Sequence, residues 1–242
     1  MEMLNFIFDA ASVAPGDFTG FTFFIGSVSM LAATVWFLMQ HGQVDKKFKD
    51  SMLVAALITG IAAVHYFYMR EQWVLTGESP TELRYIDWIL TVPLMVVEFA
   101  LLTGVGMRKL FWASVVMLVA GYFGESGVTE MFDAQIWGFI SGAAYFYMAY
   151  EVGCLTIFGG PTGAVGKALN SASGKIPSAG RMLQWFVLVG WAIYPLGYLM
   201  GTDAGMWYEG MSNIALDMNI VYNVGDAINK IGFGMAVWSA AR

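Results

Sequence analysis

The chain has 242 residues, of which 58% are hydrophobic and only 12% charged, with a formal net charge of −6. Soluble domains carry roughly 25% charged residues, so an ordinary soluble protein is excluded, and no nucleic-acid partner is expected. A single cysteine, Cys154, excludes an intramolecular disulfide and leaves a thiol without companions for a metal site.

In chain order, uncharged apolar stretches run from Phe18 to Gln40, Ser51 to Met69, Leu110 to Gly124, Ala134 to Tyr150 and Met182 to Thr202. Two further stretches, Tyr85 to Gly106 and Met211 to Ala241, are long enough but carry charges. Several reach the ~20 residues that a bilayer demands. The expected fold class is an all-α membrane protein, a seven-transmembrane-helix bundle. The fourth span, with 15 uncharged residues, must borrow flanking residues such as Met107. Arg70 reads as an interfacial residue closing span two. The Gly/Ser/Pro-rich stretch from Gly159 to Gly180 reads as a mobile cytoplasmic loop. Residues 1-242 form one expected domain, and no repeat of 20 to 50 residues is visible. The 28 glycines suit close packing of helices in lipid.

Basic residues collect in alternate loops. Lys46, Lys47 and Lys49 follow span one, Arg108 and Lys109 span three, Lys167, Lys175 and Arg181 span five, and Arg242 span seven. Cytoplasmic loops hold the Lys and Arg excess, so the N-terminus is expected outside and the C-terminus in the cytoplasm. Met1 and Glu2 open the chain without a basic region, so no cleavable signal is expected and span one serves as its own anchor.

Charges at bilayer depth cost at least ~2.5–3.5 kcal/mol on insertion scales, which makes each one a functional candidate. Span seven reads IVYNVGDAINKIGFGMAVW, with Asp226 and Lys230 four apart on one helix face. Spacing alone leaves open a purely structural Lys–Asp pair. Span three reads RYIDWILTVPLMVVEF, carrying Arg84, Asp87, Thr91 and Glu98. Asp87 and Glu98 are eleven residues apart, near three full turns, so they share a face about 16 Å apart. Two carboxyls at different depths form the skeleton of a proton relay, with Asp87 towards the outside and Glu98, in a strongly apolar run, towards the cytoplasm. Asp87 also fits an interfacial acid on a tilted helix. His65, in VHYFYMR, is either a satisfied structural histidine or an imidazole tuning Asp87.

These strings, RYIDWILTVPLMVVEF and VHYFYMR with WAIYPLGY and YNVGDAINK, closely resemble the proteorhodopsins, a bacterial type of microbial rhodopsin, and the resemblance covers all seven spans. It implies a light-driven outward proton pump in the bacterial inner (cell) membrane, an ion transporter and not an enzyme, with all-trans retinal bound covalently as a Schiff base on Lys230. A Lys amine is suited to condensing with an aldehyde. The same resemblance makes Asp87 the primary counterion and proton acceptor, Asp226 the second counterion and Glu98 the cytoplasmic donor. Arg84 joins the two carboxylates in balancing the charge, Thr91 supplies a hydroxyl beside the acceptor, and His65 partners it. Trp88, Trp191, Tyr194 and Pro195 become pocket residues, although each aromatic is equally at home in an ordinary core. Met95 falls at a colour-tuning position, where an apolar residue goes with green absorption. The implied partners are protons, the lipid bilayer and further copies in a homo-oligomer.

Some features depart from that family or extend it. Phe24 stands where members often have a Trp thought to meet the histidine across a protomer boundary. Glu209 and Asp217 are proton-release candidates by location only. Gly138 matches a position where xanthorhodopsin-like pumps have Gly, leaving a window for an antenna, a hydroxylated carotenoid. Gly138 and Gly142 equally make a small-xxx-small packing pair. Asp87 argues against a chloride pump, and the Asp87, Thr91, Glu98 set differs from that of sodium pumps. A retinal photosensor signalling to a transducer is the main alternative. A non-retinal proton-coupled transporter, which expects inverted repeats and broken helices, is the third; the sequence shows neither.

Overall fold

The computed structural model describes residues 13–154, 161–202 and 217–242. Among these the chain is helical, without strands. The helices are α1 (Phe18–His41), α2 (Lys49–Thr76), α3 (Thr81–Thr103), α4 (Arg108–Ser126), α5 (Ala134–Glu151), α6 (Ala164–Ser171), α7 (Ile176–Trp185), α8 (Ile193–Gly201) and α9 (Met218–Ala241). A π-helical segment, Phe186–Gly190, links α7 to α8 in one interrupted span. Seven spans result: α1 to α5, α7 with α8, and α9. They close a ring in which each packs on the next and α9 returns to α1. By length and composition alone, α1, α2 with its leading turn, α3 and the α7–α8 span suffice to cross a membrane.

Caps explain several boundaries. Asp17 precedes α1 and accepts from the Gly20 amide at 2.8 Å, satisfying one donor that the helix leaves open. The Trp73 indole donates to the same carboxylate at 3.2 Å, which ties α1 to α2. Helices α2 and α3 stop at Gly77 (φ 70°) and Gly104 (φ 71°), whose left-handed backbone is costly for residues with a Cβ. The short fourth span does take flanking residues at both ends, starting at Arg108 after Met107 and reaching Ser126.

Three expectations need correction. Helix α2 continues past Arg70 to Thr76, so Arg70 is buried within it and does not close it, its guanidinium 5.1 Å from the Phe67 ring. The stretch expected as a loop contains α6, whose Val165, Gly166 and Leu169 are buried against the bundle, because Gly- and Ser-rich composition conceals an apolar helix face. The described part of that stretch is thus not simply loop. Span six is not continuous: it is broken between Phe186 and Ala192, ahead of Pro195, which has no N–H to complete the preceding turn.

Spans six and seven run antiparallel and interlock through small residues. A Cβ on Gly232 would lie 2.3 Å from Phe186, one on Gly190 2.1 Å from Asn229, one on Gly225 2.3 Å from Ile193 and one on Gly197 1.8 Å from Tyr222. Each large side chain fills the notch left by a glycine opposite, the dispersion packing on which helix association in lipid depends.

Candidate functional site

Three of the expected ionisable residues, Asp87 of span three with Asp226 and Lys230 of span seven, converge inside the ring. Lys230 is buried, and its Nζ donates to Asp87 Oδ2 of α3 and to Asp226 Oδ2 one turn earlier in α9. A buried ammonium between two carboxylates avoids an unpaired buried charge, the costly alternative. The Tyr194 hydroxyl of α8 donates to the other Asp226 oxygen at 2.8 Å. Asp87 Oδ1 has no hydrogen-bond partner.

The remaining candidates surround this triad unevenly. His65 Nδ1 lies 3.9 Å from Asp87 Oδ1, close enough for charge interaction, but it makes its hydrogen bond, at 2.9 Å, with the Ile61 carbonyl of its own helix. Thr91 Oγ1 donates at 2.9 Å to the backbone carbonyl of Asp87, not to its carboxyl group. Arg84 is buried one turn before Asp87 but is directed to span seven amides, Asn223 at 3.2 Å and Asn219 at 2.9 Å. Its guanidinium also sits between the rings of Phe23 and Tyr222. Its hydrogen bonds therefore reach neither Asp87 nor Asp226.

Glu98 is fully buried on the same helix, far from the triad, and both its carboxyl oxygens lack hydrogen-bond partners. Its polar neighbour is Ser51. The next residue, Phe99, packs on Phe233 at 5.7 Å.

A cavity of about 420 Å3 opens beside the triad, within the ~300–1,000 Å3 range of small-molecule sites. Trp88, Trp191, Tyr194 and Pro195 line it, together with Val92 and Tyr145. Trp88 meets Tyr194 edge-on at 4.7 Å, and its indole N–H has no partner. Met95 is buried in the core but does not line the cavity. At its other end the cavity reaches Gly138, Gly142 and the exposed rings of Phe139 and Phe146 on α5. A Cβ on Gly138 would lie 2.7 Å from the Tyr198 ring, whereas one on Gly142 would meet nothing within 4 Å.

Two features escaped the sequence reading. Glu125, near the end of α4, accepts from the Tyr85 hydroxyl at 2.8 Å and shares a polar cavity with Asp217, Ser79 and Asn219. Its place near a span end resembles that of any interfacial acid. Asp217 caps α9, accepting from the Asn219 amide, and is also bonded by Thr19; Glu209 lies outside the described residues. The second feature is Asn229, buried beside Lys230, which donates at 2.9 Å to the Gly190 carbonyl. An uncharged amide gives no sequence signal of this kind.

The comparisons agree with this architecture. A green-light absorbing proteorhodopsin of Gamma-proteobacterium EBAC31A08 is 40% identical over 93% of this chain and 87% of its own. A blue-light absorbing proteorhodopsin of Gamma-proteobacterium Hot 75m4 is 43% identical over 93% of this chain and 86% of its own. The crystal structure of blue light-absorbing proteorhodopsin from Med12 superposes with a TM-score of 0.74 at 38% identity, covering 93% of this chain and 98% of that one. With the family model for bacteriorhodopsin-like proteins matching residues 17–242, the chain belongs to that family.

Proposed function

We propose that this chain is a single-domain, light-driven outward proton pump of a bacterial cell membrane, carrying all-trans retinal on Lys230. The observation that carries this reading is Lys230 Nζ, buried between Asp87 and Asp226 beside an aromatic-walled cavity. The cavity residues fit the group, because flat apolar walls suit a polyene. When bound, retinal supplies the light-driven isomerisation and a cationic Schiff-base nitrogen at Lys230. Trp88 and Trp191 hold the walls, and Tyr194 fixes Asp226 as the standing counter-charge.

Asp87 takes the proton held at Lys230 Nζ. Glu98 returns one from the other side, its carboxyl kept in apolar surroundings with Ser51 as polar neighbour. Asp87 then discharges towards the end of the bundle holding Arg84, Asn219, Glu125 and Asp217. Thr91 acts on the backbone beneath the acceptor, and His65 stands 3.9 Å from its carboxylate, near enough to influence it. Direction rests on the basic loops: their excess assigns the Lys49, Arg108 and Lys167 end to the cytoplasm and the N-terminus to the outside. Phe24 offers no donor for a cross-subunit bond and lies 5.7 Å from the Arg70 guanidinium, so homo-oligomer contacts must be made otherwise. Met95 accords with green absorption.

The opening between Gly142, Phe139 and Phe146 suits the ring of a hydroxylated carotenoid serving as antenna. Tyr198 already fills the notch at Gly138, so Gly142 is the more direct gate. Gly142→Trp should abolish carotenoid-sensitised excitation while sparing the pump; coupling that survives in both Gly142→Trp and Gly138→Trp would place the antenna elsewhere. The function itself is tested by illuminating unbuffered cells supplied with retinal. External acidification abolished by a protonophore is expected, and a pigment that forms without moving protons would favour a sensor.

A further inference from the structure

Where span six breaks, three carbonyls lose their usual donors. The Trp191 amide bonds to Phe186, the Ala192 amide to Val189 and the Tyr194 amide to Trp191, so Val187, Leu188 and Gly190 do not receive the i+4 bonds that a regular helix would give them. Buried carbonyls are expensive to leave without partners, and neighbouring spans supply them. The Tyr145 hydroxyl of α5 reaches Val187 and Leu188, each at 3.0 Å. The Asn229 amide of α9 reaches Gly190 at 2.9 Å. Only glycine at 190 permits that approach, because a Cβ there would come within 2.1 Å of Asn229 Oδ1.

Asn229 is therefore the residue next to Lys230 in the chain and the one that ties span seven to the broken turn of span six. That turn leads directly into Trp191, a wall of the chromophore cavity. The same amide lies 3.5 Å from the Tyr194 hydroxyl, which holds Asp226. Helix breaks of this kind, with π geometry, recur at functional sites.

We propose that Asn229 is a positioning residue, a latch through which a change at Lys230 is felt at the broken turn of span six and thereby times the return of the proton to Lys230. The latch acts through Gly190, not on the reacting atoms, and its timing role rests on the proposed assignment of retinal to Lys230. With the latch closed, the turn Phe186–Gly190 is held to α9; once it is released, the side-chain bond left to the freed carbonyls of that turn is the one from Tyr145.

The test compares wild type with Asn229→Leu, which keeps the shape and loses the donor, and Gly190→Ala, which displaces the amide without altering span seven. In retinal-free protein, amide hydrogen exchange over Phe186–Ala192 should rise about fivefold in both variants, as expected for one lost buried hydrogen bond. In pigment, flash spectroscopy should show transfer from Lys230 to Asp87 unchanged and the return of the proton altered about fivefold. Should Asn229→Leu fail to fold, Asn229→Ser falls short of the carbonyl and gives the same comparison. Unchanged exchange in the variants would overturn the latch, and equal changes in both transfers would reduce it to general loosening. A wild-type protein that forms no pigment would instead overturn the retinal assignment, while the exchange measurement would still judge the latch.

Discussion

Lys230 carries the account at the scale of single residues. Lys230→Ala removes the proposed attachment point and leaves two buried carboxylates facing each other, so the protein should stay colourless with retinal and lose several kcal/mol of stability, the ~3–5 typical when a buried pair is broken. Colour in that variant without added amine would refute the attachment. Asp87→Asn should shift absorption to the red and stop pumping, because the Lys230 nitrogen loses a directly bonded counter-charge. Acidification that protonates Asp87 should produce the same red shift, for the same reason. Glu98→Gln should leave the colour nearly unchanged and slow the proton's return, since no contact joins it to the triad; equal spectral shifts in Asp87→Asn and Glu98→Gln would contradict their separate placement. His65→Ala should move the midpoint of the acid colour change, because the imidazole stands 3.9 Å from the Asp87 carboxylate, and an unmoved midpoint would leave His65 a structural residue. The triad was legible in the sequence because charges at bilayer depth are rare enough to point to one another. The aim of Arg84 was not, since its flexible stem reaches Asn219 and Asn223 as readily as a carboxylate.

The start of α1 at Phe18 was readable because the charge of Asp17 marks it, whereas the glycines that end α2 and α3 were not, Gly77 lying beyond the stretch that hydropathy delimits and Gly104 inside one. Runs such as FVLVGW hide what happens inside a span, because hydropathy fixes that a segment is buried but not whether its turns are α or π. Pro195 was visible; the break it accompanies depends on Tyr145 and Asn229, donors from other spans. Helix α6 was hidden by composition for a related reason: its apolar face is defined by the pocket it fills among α3, α5 and α7. The interlock of spans six and seven yields a prediction at this scale. Gly197→Ala places a methyl 1.8 Å from the Tyr222 hydroxyl and should destabilise the bundle by ~1–3 kcal/mol, the cost of overpacking. Thermal denaturation in detergent or lipid measures it, and an unchanged midpoint would mean that Tyr222 swings aside without cost.

Viewed as a whole, the molecule places its polar groups along one axis. Glu98 and Ser51 lie on one side of the triad, and Arg84, Glu125 and Asp217 lie on the other. A proton crossing such a ring along that axis, as the proposed pump requires, would meet these groups in order. The seven spans and their ring were implicit in hydropathy, whereas the lateral opening by Gly142 was not, since an absent side chain makes a gap only where neighbours leave it unfilled; Tyr198 fills Gly138 and nothing fills Gly142. The central claim is vectorial transport, and the direct measurement is external pH around unbuffered, retinal-supplied cells under illumination, with Asp87→Asn alongside. The account predicts reversible acidification in wild type, abolished by a protonophore and missing in the variant. Alkalinisation, or acidification that persists in Asp87→Asn, would contradict it.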